Sequence, residues 1–198
     1  ITIPGNGTQY PVNPGEYITI ADNAINHQAQ NSNSFDLSKA DFEIFYDDSD
    51  DIDNPDVTNM LTPYDIFGFH NRGFHSYAIA RLGDIETYLQ NYKYDYEYLF
   101  VFEEYEIPME ESCYKVPNEM IVDAVNLSVQ SEFQWIVTSP AIDMGWTYCG
   151  VIDRDENRYG KSVLRKTFST TEDGRAILQD SNNSTEDFIP EATPSLKK

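Results

Sequence analysis

Positive charge is scarce in this chain. Its 198 residues include 13 Lys and Arg against 34 Asp and Glu, which gives a formal net charge of −21. Such a surface repels phosphate backbones and anionic membranes, so nucleic acid is not an expected partner. The charge suits an extracytoplasmic setting with salt or divalent cations. Since no run of 18 apolar residues occurs either, we expect no transmembrane segment.

Signatures of catalysis are also missing. No Gly-x-Ser-x-Gly nucleophile elbow is present, and Gly160-Lys161-Ser162 has Asp155 where a phosphate-binding loop needs its first glycine. The three histidines, His27, His70 and His75, lack the spacing of a zinc site. We therefore predict a non-enzymatic protein that binds a protein or glycan ligand. The alternatives are a divalent-cation-dependent extracellular hydrolase and a structural spacer domain.

Cysteine is rare as well, with only Cys113 and Cys149. Both lie beside a tyrosine, and their spacing does not match a metal-binding motif. In an oxidising compartment a disulfide would close a loop of about 37 residues and stabilise the fold by about 4 kcal/mol in the chain-entropy model. We predict this disulfide; the alternative is two buried thiols in a reducing compartment.

Aromatic residues are what the chain has in abundance, above all in one segment. From Tyr92 to Phe102 every second residue is aromatic. This period of two predicts a strand with one aromatic face, because successive strand side chains point to opposite sides. The face is either buried, with Phe100 and Phe102 in the core, or exposed to a ligand. In the exposed case the candidate ligand-binding residues are Tyr94, Tyr96, Tyr98 and, in a Gly-flanked loop, Trp146.

The rest of the chain shows short strand patterns separated by turn residues. Strands are predicted at 17–21, 76–81, 120–125 and 162–168, a short helix from Ser38 to Glu43, a reversal at 103–105 and a helical turn at 132–137, with Trp135 in the core. No linker composition divides the chain. We predict an all-β fold with minor helices, in a single domain over 1–198.

An acidic tract between residues 47 and 56 is the candidate metal site. Its oxygen-rich side chains are of the type that Ca²⁺ prefers, and the candidate ligands are Asp47, Asp50, Asp51 and Asp53. The tract lacks the glycine and the bidentate glutamate of a Ca²⁺-binding loop, so a solvated loop is the alternative. Apart from this possible Ca²⁺ site, no cofactor is expected.

Several motifs resemble those of lamin-tail-type domains, which are immunoglobulin-like β-sandwiches. They are Pro14-Gly15-Glu16-Tyr17-Ile18, Asn71-Arg72-Gly73 with Tyr77-Ala78-Ile79, Ile121-Val122-Asp123-Ala124-Val125 and Gly160-Lys161-Ser162-Val163-Leu164-Arg165 followed by Ala192-Thr193-Pro194-Ser195. The resemblance implies an immunoglobulin-like β-sandwich in which segments 26–67 and 84–118 are long insertions. It also implies that strands, or a further domain, precede Ile1.

Three further motifs are similar to those of an uncharacterised family of Bacteroides-type extracytoplasmic lipoproteins of unknown function. They are Cys113-Tyr114-Lys115-Val116-Pro117-Asn118-Glu119, Gly145-Trp146-Thr147-Tyr148-Cys149-Gly150 and Asn182-Asn183-Ser184-Thr185-Glu186-Asp187-Phe188. The similarity implies a location in the cell envelope, at the outer-membrane surface or in the periplasm. It also implies a lipid anchor on a cysteine before Ile1.

Overall fold

The computed structural model of the chain describes residues 1–47, 50–61, 70–131 and 138–196. Strands dominate it and helices are short, which confirms the predicted all-β class. The described strands are β1 (Ile20–Ala21), β2 (Phe42–Glu43), β3 (Thr58–Asn59), β4 (His75–Ala80), β5 (Lys93–Phe102), β6 (Tyr105–Tyr114), β7 (Ile121–Ser128), β8 (Thr147–Tyr148), β9 (Ser162–Arg165), β10 (Thr167–Thr170), β11 (Ala176–Leu178) and β12 (Phe188–Ala192).

Two α-helices and three short 3₁₀ turns complete the described elements. The α-helices are α1 (Ile85–Asn91) and α2 (Ser184–Asp187), and the 3₁₀ turns are His27–Ala29, Asn118–Met120 and Glu156–Arg158. Within the described part of the chain, none of the helices has the length and apolar character that crossing a bilayer requires.

The strands form five small sheets. A parallel sheet β1-β2-β3 lies near the N-terminus, and β7 is the middle strand of the sheet β4-β7-β8. Strand β7 pairs antiparallel with β4, from His75↔Leu127 to Ala80↔Ile121, and parallel with β8. The antiparallel pair β9-β12 lies against β8. The remaining two sheets are the two-stranded hairpins β5-β6 and β10-β11.

The N-terminal sheet buries an apolar cluster of Phe42, Ile44 and Met60. Between the first two, the carboxylate of Glu43 is also buried, and it accepts hydrogen bonds from the backbone N–H of Ala24 (2.9 Å) and Asn54 (2.8 Å). The predicted helix from Ser38 to Glu43 is therefore wrong. Asp36 bonds to Ser38 in a local turn, and the chain enters β2 because Phe42 fills the core.

A buried polar cluster joins β7 to the segments that follow it. The backbone N–H of Asn126 donates to the carboxylate of Asp143 (3.2 Å), and that carboxylate also accepts from Ser184 N (2.6 Å) and Ser184 Oγ (2.5 Å). The Asn126 amide donates to the carbonyl of Gly145 (3.0 Å). The buried side chains of Asn126, Asp143 and Ser184 thus all have partners, which is the condition for burying them without a large penalty.

Of the other predicted strands, two are confirmed and two are divided or shortened in the structure. Those at 76–81 and 120–125 are confirmed as β4 and β7, whereas the segment 162–168 divides into β9 and β10 at Lys166. The segment 17–21 is paired only at Ile20–Ala21. The helical turn at 132–137 and Trp135 lie outside the described residues. The single-domain and immunoglobulin-like interpretations stay predictions.

Candidate binding surface

The aromatic segment forms one strand of a long hairpin. Strands β5 and β6 pair over ten residue pairs, from Lys93↔Tyr114 at the base to Phe102↔Tyr105 at the tip. Glu103 and Glu104 make the turn, as the reversal predicted there requires, and Glu103 adopts a left-handed φ of 54°. Such turns normally favour Gly or Asn. Two acidic residues therefore cap the hairpin where small residues are usual.

Helix α1 packs at the base of the hairpin. Asp84 caps the helix by accepting from Thr87 N (2.9 Å). Tyr88 is buried, stacks on Tyr92 at 5.1 Å between ring centroids, and donates its hydroxyl to the Lys115 carbonyl (2.9 Å). These contacts join helix α1 to the residues that directly precede and follow the hairpin.

One side of the hairpin, hereafter the aromatic face, carries almost only apolar side chains. Directly opposed residues of an antiparallel pair point to the same side. The aromatic face therefore comprises the pairs Tyr94/Cys113, Tyr96/Glu111, Tyr98/Met109, Phe100/Ile107 and Phe102/Tyr105. Glu111 is the single residue of this set that carries a full charge at neutral pH.

The three tyrosines form a ladder along β5. The ring centroids of Tyr94 and Tyr96 are 5.9 Å apart, those of Tyr96 and Tyr98 are 5.7 Å apart, and both pairs are stacked. The Lys115 ammonium lies 4.3 Å from the centroid of the Tyr94 ring. Partial burial among these neighbours raises the pKa of Tyr96, and the nearby Cys113 and Glu111 raise it further. The Tyr96 phenol therefore stays neutral and keeps its proton to donate.

The opposite face is polar near the base and apolar near the tip. Asp95 accepts a hydrogen bond from the Ser112 hydroxyl, and Glu97 is opposite Glu110. Farther out, Leu99 is opposite Pro108 and Val101 is opposite Glu106. The outer half of the hairpin thus has apolar side chains on both faces.

These apolar side chains are open to solvent in the structure. Val101 is 63%, Phe102 57% and Tyr105 60% exposed, and of the β5 side chains only Tyr94 is even half-buried. The sheet contains no other strand within the described residues. Two-stranded hairpins are marginally stable alone, and large exposed apolar patches commonly mark interaction sites. Within the described residues, the aromatic face is therefore exposed and is not packed into the core.

Trp146 lies apart from the tyrosine ladder, at the start of β8 in another sheet. Its backbone N–H donates to Thr185 Oγ1 (3.1 Å), its carbonyl accepts from the same hydroxyl (2.9 Å), and its half-buried ring contacts Tyr148. A ligand-binding role for Trp146 stays a prediction.

The acidic tract does not converge on a common point in the described residues. Asp47 and Asp50 are exposed, while Asp51 and Asp53 accept hydrogen bonds from the side-chain amides of Asn23 (3.3 Å) and Asn59 (2.9 Å). Across residues 1–47, 50–61, 70–131 and 138–196, no group of three or more His, Cys, Asp or Glu is arranged to hold a metal ion. The Ca²⁺ site stays a prediction.

The structure does not contain the predicted disulfide, because Cys113 and Cys149 are both free thiols. Cys113 is half-buried on β6, opposite Tyr94. Cys149 follows β8 and is buried, which raises the pKa of its thiol. Cys113 lies on the hairpin and Cys149 lies directly after β8, so similar sequence surroundings do not indicate a shared position in the fold.

A shallow cavity of about 360 Å³ lies near the turn between His70 and His75. His70 and Cys149 are among its lining residues, and the His70 and His75 rings are in contact at 4.2 Å. Desolvation lowers the pKa of His70, and the neighbouring His75 and Arg72 lower it further. Because His70 Nδ1 accepts the Arg72 backbone N–H (3.2 Å), its Nε2 carries the proton in the neutral ring. Neither nitrogen then offers a free lone pair to a metal.

The sequence interpretation missed half of the hairpin. Strand β6 was covered by a predicted insertion, although Tyr105, Ile107 and Met109 alternate along it. Pro108, Glu110 and Glu111 obscure the pattern, since proline and adjacent acids are rare in central strands. With β6, the candidate surface gains its one carboxylate, the exposed Glu111, and the apolar residues Tyr105, Ile107 and Met109.

A family model described as "Protein of unknown function (DUF4876)" matches residues 13–195 of the chain. The chain is also similar to a protein of known crystal structure, a DUF4876 family protein from Bacteroides thetaiotaomicron VPI-5482, with 26% sequence identity and a TM-score of 0.64. The match covers 98% of this chain and 53% of that one, so the chain spans about half the length of its structural relative. No curated protein matches it.

Proposed function

Since the chain belongs to the DUF4876 family, whose description names no activity, we propose a function from the hairpin: a non-enzymatic module of the cell envelope that binds a partner protein through the aromatic face. The observation that carries the proposal is the exposure of a ten-residue aromatic strand and its apolar partner strand on a hairpin anchored at one end. The extracytoplasmic location is part of the same proposal. It is supported by the strongly acidic composition.

A protein partner suits the surface better than a glycan. Sugar recognition combines ring stacking with many hydrogen bonds, yet Phe100, Phe102, Ile107 and Met109 have no strong hydrogen-bonding group in their side chains. Tyr, Phe and Met are the residues enriched in protein interfaces. The tyrosine ladder adds rigid contact area with polar hydroxyls at its margin. The whole face is thus composed like the core of a protein–protein interface.

Site-specific photocrosslinking tests the proposal. Benzoylphenylalanine would replace Phe100 or Ile107 in the full-length protein, expressed in the cells that encode it. The matched control carries it at Phe168, which is 75% exposed on the other hairpin, β10-β11. We expect both aromatic-face positions to yield an adduct with the same protein and Phe168 to yield none. Replacing Tyr96 and Tyr98 with serine should abolish that adduct.

Two results would overturn the proposal. One is equal crosslinking from the control position, which would mean random collision. The other is an adduct that glycosidases remove and proteases do not, which would identify the partner as a glycan.

A further inference from the structure

We propose that the aromatic face recognises a cationic side chain, arginine or lysine, of the partner protein, and holds it between the Tyr96 and Tyr98 rings and the Glu111 carboxylate. This inference rests on the proposed function and specifies the chemistry of its partner. The expected partner is a protein surface in which a basic side chain is surrounded by apolar ones.

The position of Glu111 is the first reason. It is directly opposite Tyr96 and next to the Tyr98/Met109 pair, in the middle of an otherwise uncharged face. Facing residues in an antiparallel pair are about 5 Å apart between Cβ atoms. A partner that covers the face removes water from this carboxylate, and a desolvated charge without a counter-charge is strongly unfavourable. An apolar partner therefore needs a cation at this place.

The molecule already places one cation on the same ladder. The Lys115 ammonium is 4.3 Å from the Tyr94 ring centroid, within the range of a cation–π contact. Tyr96 and Tyr98 continue that ladder outward, and the described residues place no cation over either ring. Glu111 lies opposite Tyr96, whereas the uncharged Cys113 lies opposite Tyr94. The Tyr94 ring thus already contacts a cation of the same chain, and the Tyr96 and Tyr98 rings beyond it extend the ladder toward a cation from the partner.

The charge of the whole hairpin favours the same partner. Residues 93–114 include one basic residue, Lys93, and seven acidic ones, which are Asp95, Glu97, Glu103, Glu104, Glu106, Glu110 and Glu111. This field attracts basic surfaces and speeds their association. A second copy of the chain would bring seven more carboxylates, and an anionic membrane would be repelled. Neither suits the surface as well as a basic protein.

Selection from a phage-displayed library of random peptides tests the inference on the wild-type protein. We expect the bound pool to be enriched in Arg or Lys next to aromatic and aliphatic residues. A selected peptide is then synthesised with fluorescein, and a second version carries citrulline in place of arginine, which keeps the shape and removes the charge. Loss of the charge should weaken binding about tenfold in fluorescence anisotropy.

A matched pair of variants separates specific recognition from general attraction to an acidic protein. Glu111→Gln and Glu106→Gln change the net charge equally, but Glu106 is opposite Val101 on the other face. We expect Glu111→Gln to weaken the peptide about five- to tenfold and Glu106→Gln to leave it within twofold. Both should melt at the wild-type temperature, since both side chains are exposed.

Any one of three results would overturn the inference. The two substitutions could weaken the peptide equally, the citrulline peptide could bind as tightly as the arginine peptide, or the selected pool could show no enrichment in Arg or Lys. Concentration-dependent dimerisation abolished by Tyr98→Ser would overturn it in favour of a second copy. If crosslinks at Phe100 form equally in Glu111→Gln and wild type, partner binding stands and the cation site falls. If no crosslink forms at all, the proposed function itself falls.

Discussion

Strands β5 and β7 differ in which side chains they bury. Strand β7 lies between β4 and β8 and buries Ala124, Asn126, Leu127 and Ser128. Strand β5 is far more aromatic, yet it has a single neighbour and exposes nearly its whole length. The number of neighbouring strands decides burial here, and side-chain hydrophobicity does not. In this molecule the polar cluster lies inside and the aromatic ladder outside.

The comparison predicts that polar substitutions in the β7 region are severe. Asp143→Ala removes the acceptor of the buried Ser184 N–H and hydroxyl and one of the two acceptors of Asn126 N, which also donates to Ser184 Oγ. We expect the free energy of unfolding to fall by about 4 kcal/mol. Denaturant titration measures the change. Asp153→Ala, which breaks an exposed pair with Arg72, is the control and should leave the free energy of unfolding nearly unchanged.

A backbone substitution at the edge of the same sheet should cost somewhat less. Gly73 has a φ of 97°, and a Cβ added to it would lie 2.4 Å from the Ser128 carbonyl oxygen at the end of β7. Gly73→Ala must therefore both strain the chain and push β7 aside. We expect a loss of about 3 kcal/mol in the same titration. Gly83, also at positive φ but with open space around it, gives the matched control for φ alone.

The pH dependence of stability at the buried Asp187 tests the same comparison between buried polar groups and the exposed hairpin. Burial raises its pKa, but hydrogen bonds from Ser181 and Asn183 outweigh burial and lower the pKa below 3.8. The carboxylate therefore stabilises the fold above the pKa of the unfolded chain, and that stability is lost as pH falls through the lower pKa of the folded state. Asp187→Asn should cost about 2 kcal/mol at neutral pH.

The Asp187→Asn variant should also lose less stability than wild type on acidification below about pH 4. Thermal melting over an acid pH series measures this difference. Parallel stability curves for the two proteins would contradict the assignment of the acid sensitivity to Asp187.

The smallest effect is expected on the hairpin. Phe100→Ser removes a large apolar side chain from a position that is already in water, so the free energy of unfolding should change by less than about 0.5 kcal/mol. Leu127→Ser, a comparable change on β7, should cost several times more. A large loss for Phe100→Ser would show that the aromatic face is covered within the protein, and would break the comparison.

The sequence predicts local structure well where alternation is regular, and poorly where contacts are distant. The period of two from Tyr92 to Phe102 is confirmed as β5, and the reversal after it is confirmed as the turn at Glu103 and Glu104. Burial of that strand could not be predicted, because it depends on which strands pair with it. The role of β6 was hidden by Pro108 and the acidic residues.

Pairings between remote residues could not be predicted either. Nothing in the spacing of Asn126, Asp143 and Ser184 shows that they meet, since the loops between them decide it. The two cysteines give a second example: Cys113 and Cys149 have similar neighbours along the chain, yet the structure has no disulfide between them. The sequence therefore names the tyrosines of the aromatic face, which lie in one continuous segment, but does not show that Glu111 faces them from β6.

The acidic tip has a consequence for how this protein stays in solution. An open hairpin with aromatic residues offers two unpaired strand edges, and such edges join one another readily. Glu103, Glu104 and Glu106 place charge where two hairpins would first meet. Salt screens these charges, so concentrated salt should allow the edges of two hairpins to pair and the protein to aggregate.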